Sequence, residues 1–396
     1  MVIILLLHKN NNIKGEVTMS EVNTKQTLGK FDITGYISVD SKVFTIGSKS
    51  KNNSTWTSNI FNPRIEGANG SSMYIRVQDG FDAVKGRTIY ARSKDDKNLE
   101  IAFVDRNSAA ILERVNEMSY IKIFTNRVKK INDSGKEYTT WNEPKKFLTM
   151  YDAINFLKEI MPITSKNKVR LVGDLRYSKY NGNIQRNFDI KYIYILNDEE
   201  AGAEKALEFK FTQNVIIREG AADISKLKSE GLAIINSNLY VKKPKTKEKY
   251  ELLDLPLIVR VNDDSEMEKK ERAIKRCFTV TGDTIRRINI EGIFNVGYTT
   301  GNVTSDDLPD TALELIEDGL YSEEEVMGMF AKRDRVDELV FKRPIAKVIE
   351  GKLDLDLDET TYSIKDIEEA MKETDTDEVI RFDEEDNSIL SELENC

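Results

Sequence analysis

Few residues of this chain could perform acid–base, redox or metal chemistry. His8 is its single histidine, and its two cysteines, Cys277 and Cys396, lie far apart in the sequence. Histidine-based proton transfer, a cysteine-rich zinc site and a disulfide framework are therefore excluded, and two free thiols suit a reducing cytoplasm. We expect a protein that carries no cofactor and is not an enzyme.

The aspartates near the C-terminus do not form a recognisable calcium site. Asp354, Asp356 and Asp358 imitate the first ligands of an EF-hand loop, but Glu359 stands at the sixth position, where the loop needs glycine. Lys365 stands at the twelfth position in place of glutamate. A nuclease that holds a metal ion with carboxylates alone remains an alternative, although no compact acidic cluster lies within the basic segments.

The segment between Lys166 and Lys191 offers binding chemistry instead. It holds seven basic residues against Asp174 and Asp189, a local net charge of +5, and it is rich in aromatic residues. Lysine and arginine neutralise phosphates and exposed rings stack on bases, so this mixture favours a polyanion. The candidate residues are Arg170, Arg176, Tyr177, Lys179, Tyr180, Arg186 and Lys191.

The Asn-Gly dipeptide at 181–182 predicts a β-hairpin in this segment. We expect a four-residue loop, because a two-residue loop would set Asp174 opposite Asp189 and bring like charges together. Most of the aromatic residues then belong to the core, and only Tyr177 and Tyr180 near the tip are free to stack. The core face is predicted to hold Leu171, Gly173, Leu175, Tyr177, Phe188, Ile190, Tyr192 and Tyr194, and the wet face Arg170, Val172, Asp174, Arg176, Ser178, Tyr180, Asn187, Asp189, Lys191 and Ile193.

Two further polar segments contain candidate contacts. The lysines of residues 241–250 lie between two strands, where we expect a late loop that flanks the groove of a barrel. A long polar loop over residues 47–61 contains a tryptophan that its surroundings do not mark as a core residue. These segments add Lys242, Lys243, Lys245, Lys247, Lys49, Lys51 and Trp56 to the candidate site.

More than one domain has to position these residues, since 396 residues exceed the ~100 to 200 of an ordinary domain. Short β-branched and aromatic runs dominate residues 28–135 and 166–300, and a helix with one apolar face joins them within 136–165. We predict a mainly β protein with some α: two OB-like β-barrels in tandem, then a helical hairpin and a strand in 301–350. The apolar face of the joining helix is predicted to hold Met150, Ile154, Leu157 and Met161.

The C-terminal region is strongly acidic. Residues 351–396 contain 17 acidic and four basic residues and so carry −13, whereas the formal net charge of the whole chain is −9. We expect a disordered acidic tail that competes with nucleic acid for the basic groove or docks on replication proteins. The candidate partner-binding residues are Phe382, Asp383, Glu384 and Glu385.

The first residues are expected to lie outside the folded body, over 1–27. Their apolar run lacks the flanks of a signal peptide, and translation is expected to start at Met19. No stretch reaches the ~18 apolar residues that a membrane-spanning helix requires, so we expect no membrane contact.

The layout of barrels, basic grooves and acidic tail resembles the single-stranded DNA-binding proteins of bacteriophages. Residues 173–196 and 306–333 are similar to segments of replication-module proteins from phages and prophages of low-GC Gram-positive bacteria. The resemblance implies non-catalytic, sequence-tolerant binding of single-stranded DNA during replication or recombination, in the cytoplasm of the bacterial host. The chain ends without the terminal Phe typical of such tails. A phage structural or assembly protein that binds no DNA is the alternative.

Overall fold

The computed structural model describes residues 26–50, 55–68, 70–196, 206–242, 250–261, 264–282, 284–300, 308–323, 326, 333–349, 352–355 and 357–363. This part of the chain is mainly β with few helices, as the sequence predicted. None of its helices is long and apolar enough to cross a membrane.

The strands and helices are numbered in chain order. The strands are β1 Gly29–Ser38, β2 Phe44–Lys49, β3 Trp56–Phe61, β4 Arg64–Glu66, β5 Ser72–Tyr74, β6 Val77–Asp82, β7 Thr88–Arg92, β8 Asn98–Ala102, β9 Ile121–Phe124, β10 Arg127–Ile131, β11 Glu137–Trp141, β12 Lys145–Phe147, β13 Lys166–Tyr180, β14 Asn183–Ile195, β15 Glu208–Ile217, β16 Ala222–Asp223, β17 Leu232–Lys242, β18 Tyr250–Arg260, β19 Thr284–Thr300, β20 Arg333–Pro344, β21 Ala346–Ile349, β22 Lys352–Leu355 and β23 Leu357–Ser363. The α-helices are α1 Ala109–Leu112, α2 Met150–Ile160, α3 Leu227–Glu230, α4 Met267–Phe278 and α5 Asp310–Glu317.

The helix predicted to join the domains is α2. Thr149 caps its N-terminus, because the Thr149 side chain accepts a hydrogen bond from the backbone N–H of Asp152. Apolar residues at helical spacing then point into the core, and the predicted face is confirmed: Met150, Ile154, Leu157 and Met161 are all buried.

Five strands of the C-terminal half form a closed ring. In order around the ring, β15 pairs with β17, β17 with β18, β18 with β20, β20 with β19, and β19 again with β15. The β18–β20 pair is parallel and the others are antiparallel. Helix α4 lies between β18 and β19 in the chain, and it buries Ile274, Cys277 and Phe278. The ring is therefore a small barrel, with helix α4 between its third and fourth strands in chain order.

The N-terminal half repeats this pairing pattern. Strand β1 pairs antiparallel with β13, β13 antiparallel with β14, and β14 parallel with β9. Helix α2 lies between β9 and β13 in the chain. The elements β1, β9, α2, β13 and β14 thus correspond, in the same order, to β15, β18, α4, β19 and β20. Among the described strands this half stays open.

Both halves belong to one continuous sheet. Strand β1 pairs with β13 along one edge and with β15 along the other, so the sheet runs β12-β9-β14-β13-β1-β15-β17-β18-β20-β19-β23. Two separate domains divided at residue 166 are not confirmed, because β13 and β14 pair with β1 and β9. Strand β20, which was predicted to lie after the second domain, completes its ring. Strands that lie far apart in the sequence thus pair across the boundaries that local sequence patterns predicted between domains.

The distal part of the β13–β14 hairpin packs against the ring. The Phe188 ring lies edge-on to Phe31 at 5.1 Å between centroids and 6.0 Å from Phe294. Arg186 forms an ion pair with Asp337 of β20, and its guanidinium lies 5.6 Å from the centre of the Phe294 ring. One hydrophobic core therefore extends across both halves.

Part of the predicted acidic tail is folded. Strand β22 pairs with β21, and β23 pairs with β19, where Glu359 stands opposite Arg286 and Asp358 opposite Arg287. The expectation of disorder is not confirmed for 352–355 and 357–363, because these residues form strands by backbone pairing. The remainder, 364–396, lies outside the described residues.

The predicted helical hairpin is described only in its first helix, α5. It begins after Pro309, and Gly319 ends it with a positive φ of 68°, which glycine adopts without strain. Most of the second helix lies outside the described residues.

Candidate nucleic-acid interface

The hairpin that carries most candidate residues has a two-residue turn. Asn181 and Gly182 have φ values of 47° and 83°, and Tyr180 pairs with Asn183. Positive φ at both central residues matches the right-handed twist of a hairpin. The predicted four-residue loop is wrong.

The rejected pairing of two aspartates is the one that forms. Asp174 stands opposite Asp189, and the Asp189 carboxylate accepts from Arg176 Nη2 at 2.9 Å and lies 3.1 Å from Lys191 Nζ. Two cations beside one carboxylate offset the repulsion that the sequence argument counted alone.

A β-bulge changes which residues face the core. Val172 pairs with Tyr192 and Gly173 with Ile190, so Lys191 is the extra residue. Beyond the bulge the faces exchange, because side chains alternate along a strand. Ile193 is therefore fully buried, whereas Tyr192 and Tyr194 lie on the outer face, half-buried. The predicted faces of β13 are confirmed, and those of β14 are correct before the bulge and wrong after it.

Three of the predicted contacts lie on the side of the hairpin away from this outer face. Tyr177 is buried and is not free to stack, and Arg186 lies opposite it in an ion pair with Asp337. Lys179 is exposed, but it lies two residues after Tyr177 along β13 and therefore on the same face of the strand as Tyr177. These residues connect the hairpin to the ring or face away from the outer surface.

Replacing Tyr177 with phenylalanine is expected to stabilise the protein by about 1 kcal/mol at neutral pH, because its buried hydroxyl has no hydrogen-bond partner among the described residues. Burial raises the pKa of Tyr177. Below pH ~10 the phenol is neutral in both states; above it only the unfolded state ionises, so stability falls as pH rises. Urea unfolding at pH 7 and pH 11 should show the variant gaining most at pH 11. An equal loss of stability at both pH values would contradict this.

The outer face of the N-terminal half carries a cluster of aromatic rings. Phe124 of β9 and Tyr194 of β14 stack with centroids 4.6 Å apart and planes 9° apart. Trp141, from the β10–β11 hairpin, lies 5.3 Å from Tyr194 and 5.9 Å from Phe124. All three rings are half-buried, and they keep part of their surface in contact with solvent.

Arg170 completes the cluster from the neighbouring strand. It stands opposite Tyr194 in the register, and its guanidinium lies 5.4 Å from the centre of that ring. Asp32 of β1 holds the guanidinium with two hydrogen bonds, 2.7 Å to Oδ1 and 2.6 Å to Oδ2. These bonds raise the pKa of Arg170 and fix its orientation.

Lysines flank the rings on both sides. Lys166 Nζ lies 4.9 Å from the centre of the Tyr36 ring. Its distance to Glu66 Oε2 is 3.9 Å, which makes a long ion pair. At the opposite edge, Lys146 and Lys122 share Glu117 at 2.8 and 2.9 Å, and their hydrogen bonds lower the pKa of that carboxyl. Two cations for one carboxylate leave positive charge at this edge.

We call this region the cationic–aromatic surface. It comprises the outer face of β12, β9, β14, β13 and β1, together with Trp141. Eight side chains on these strands are basic and five on the strands or paired with them are acidic, and Glu143 adds a sixth carboxylate near Lys146. The basic ones are Lys30, Lys122, Lys146, Lys166, Lys168, Arg170, Arg176 and Lys191, and the acidic ones Asp32, Glu66, Glu117, Asp174 and Asp189.

Only part of the predicted site lies on this surface. Arg170, Arg176, Tyr180 and Lys191 do, because they occupy the outer positions of the hairpin or bind Asp189 there. The remaining predicted residues Lys51, Lys243, Lys245, Lys247, Phe382, Asp383, Glu384 and Glu385 lie outside the described residues.

The other described candidates lie elsewhere. Lys49 and Trp56 belong to a separate sheet, β2-β3-β6, and Trp56 is half-buried at the start of β3, not in a long loop. Lys242 ends β17 on the ring, and the lysine-rich segment after it joins the second and third ring strands, so it is not the late loop expected.

Five aromatic residues of this surface were not predicted from the sequence: Phe124, Trp141, Tyr36, Tyr192 and Tyr194. The alternation of Lys122 and Phe124 with buried Ile123 was visible, but nothing local showed that β9 lies beside β14. The bulge reversed the expectation for the two tyrosines.

The ring offers a different outer surface. Arg260 is bound by Glu338 at 2.7 Å, and Arg343 by Glu291 at 2.9 Å, so these cations are matched one to one. Tyr240 and Tyr250 of the ring stack on each other, but Tyr240 is only 1% exposed. The Thr27 hydroxyl donates a hydrogen bond to the backbone carbonyl of Tyr240.

Comparison with known proteins adds little. No protein-family model and no curated protein matches this chain. Among solved structures, a deletion mutant of the single-stranded DNA binding protein from Thermus aquaticus is similar at 7% sequence identity and a TM-score of 0.29. The match covers 68% of this chain and 88% of that chain. A likeness this low assigns neither fold nor function.

Proposed function

We propose that this protein binds single-stranded DNA, without sequence preference and without catalysis, on the cationic–aromatic surface. The observation that carries the proposal is the Phe124–Tyr194–Trp141 cluster on the outer face of a sheet, with Arg170 held over Tyr194. Aromatic rings beside cations are the recurring chemistry of proteins that bind single strands.

We further propose that each half is an OB-type barrel. The closed five-stranded ring, with one parallel pair and a helix between its third and fourth strands, supports this for the C-terminal half. The repeated pairing pattern supports it for the N-terminal half, whose boundaries are then about 29–195 and not 28–135. The ring would be 208–344.

The surface ion pairs are compatible with phosphate binding. Partly exposed pairs such as Lys146–Glu117 and Lys191–Asp189 each contribute only about 0 to 1 kcal/mol, so a phosphate can replace the carboxylate as partner. Bases stack only where they are unpaired, which favours single strands over duplex.

The biological setting is proposed from the sequence resemblance: replication or recombination of phage DNA in the cytoplasm of the bacterial host. Docking of replication proteins at residues 382–385 likewise stays a proposal. Strand β23, which sets Asp358 and Glu359 opposite Arg287 and Arg286, gives the tail a defined starting point on the ring.

The test is a titration of fluorescent single-stranded and duplex oligonucleotides with the full chain, in Mg²⁺ and over a salt series. We expect retention of the single strand, weaker binding of duplex, and no cleavage. Neutralising three to five phosphates predicts a log–log salt slope of about −2 to −3.5. Absence of binding would support the structural-protein alternative, and cleavage would support a nuclease.

A further inference from the structure

Helix α5 carries a compact apolar patch that nothing in the described structure covers. Leu315 is 39% exposed, Leu320 66% and Tyr321 44%. Gly319 turns the chain back at the end of the helix, and the backbone N–H groups of Leu320 and Tyr321 both donate to the carbonyl of Leu315, at 3.1 and 3.3 Å. The turn therefore brings the backbones of the three residues together at the C-terminal end of α5.

Other residues of α5 form a small core of their own. Leu308, Ala312 and Val326 are buried together, with Leu313 and Ile316 against them. The three exposed residues are therefore not needed to bury that small core. Exposed apolar groups gathered at one place, with polar groups around them, are typical of interaction sites.

The segment that carries the patch is acidic. Between residues 308 and 323 the chain has no lysine or arginine, and five carboxylate residues are exposed there: Asp310, Glu314, Glu317, Asp318 and Glu323. A nucleic acid would be repelled. A protein segment with apolar residues on one face and lysine or arginine around them would be complementary.

We propose that this patch is a docking site for a basic, amphipathic segment of a partner protein. It lies in the connection between β19 and β20, and none of its residues belongs to the cationic–aromatic surface. The inference does not depend on the proposed DNA binding, and its test uses no DNA.

The test uses a synthetic helical peptide of leucine and lysine with one apolar face, and a leucine–glutamate peptide of the same spacing as control. The full chain is compared with the variant Leu315→Ser, Leu320→Ser, Tyr321→Ser. This variant keeps every carboxylate, including those of the tail, so a change in affinity reports the apolar contact and not general charge attraction. A matched control replaces Val104 and Met118, each 84% exposed on other segments, with serine.

We expect the lysine peptide to bind the wild-type chain and the matched control equally, and the patch variant roughly tenfold or more weakly. Circular dichroism should show unchanged folding. Equal binding by the patch variant, or binding of the glutamate peptide, would overturn the proposal. So would a wild-type dimer, seen by light scattering, that the patch variant abolishes, because the occupant would then be a second copy.

Discussion

Replacing Trp141 and Tyr192 together with alanine is expected to weaken single-stranded DNA binding roughly 30-fold or more, since each ring that stacks on a base contributes about 1 to 3 kcal/mol. Trp141 lies beside Tyr194 at the rim of the cluster, and Tyr192 occupies the adjacent outer position of β14, opposite Lys122. Fluorescence anisotropy with a labelled oligonucleotide at fixed salt measures the change.

The matched control for this prediction is Tyr90→Ala. Tyr90 is 43% exposed on the β7–β8 hairpin, which forms a separate two-stranded sheet, and it is not one of the residues of the cationic–aromatic surface. Its affinity should stay within about twofold of wild type, because no more than a chance contact is lost. A double variant that binds as tightly as wild type, with an unchanged thermal midpoint, would contradict the assignment of the surface.

Replacing Phe294 with alanine is expected to lower the free energy of unfolding by about 3 to 5 kcal/mol, the usual range for a large buried ring. The Phe294 side chain is buried and contacts Phe211 at 5.0 Å between centroids, Phe188 at 6.0 Å and the guanidinium of Arg186. Its removal leaves a cavity where the hairpin meets the ring.

Urea denaturation followed by circular dichroism measures that loss. Because one core extends across both halves, we expect a single transition that moves to lower urea as a whole. An exposed control, Tyr90→Phe, should change stability by less than about 0.5 kcal/mol. A loss below about 1 kcal/mol for Phe294→Ala would show that the hairpin does not pack against the ring.

Local patterns in the sequence predicted the local structure. The β class, the apolar face of α2 and the Asn-Gly turn of the hairpin could be predicted, because each depends on residues a few positions apart. The length of the turn could not be predicted, because the sequence does not show that Arg176 and Lys191 bind Asp189 and offset its repulsion by Asp174.

The candidate site was less accessible to sequence reasoning than the elements that carry it. One extra residue, Lys191, reversed the faces of β14 and moved Tyr192 and Tyr194 to the outer surface. The parallel pairing of β14 with β9 brings Phe124 to Tyr194 across about 70 residues of chain, and no short pattern encodes such a contact. The basic hairpin contributes Arg170, Arg176, Tyr180 and Lys191 to the cationic–aromatic surface, which extends from the hairpin to β9 and β1.

The fluorescence of Trp141 tests the central claim most directly. The chain has two tryptophans, so Trp56→Phe leaves Trp141 as the only reporter, and Trp56 lies on the separate β2-β3-β6 sheet. A thymidine oligonucleotide long enough for the roughly 4 to 16 nucleotides that an OB barrel contacts is titrated in, with anisotropy of a label on the DNA recorded in parallel. We predict that Trp141 emission is quenched at the same DNA concentrations at which anisotropy rises. A rise in anisotropy without any change in Trp141 emission would place the DNA elsewhere and contradict the account.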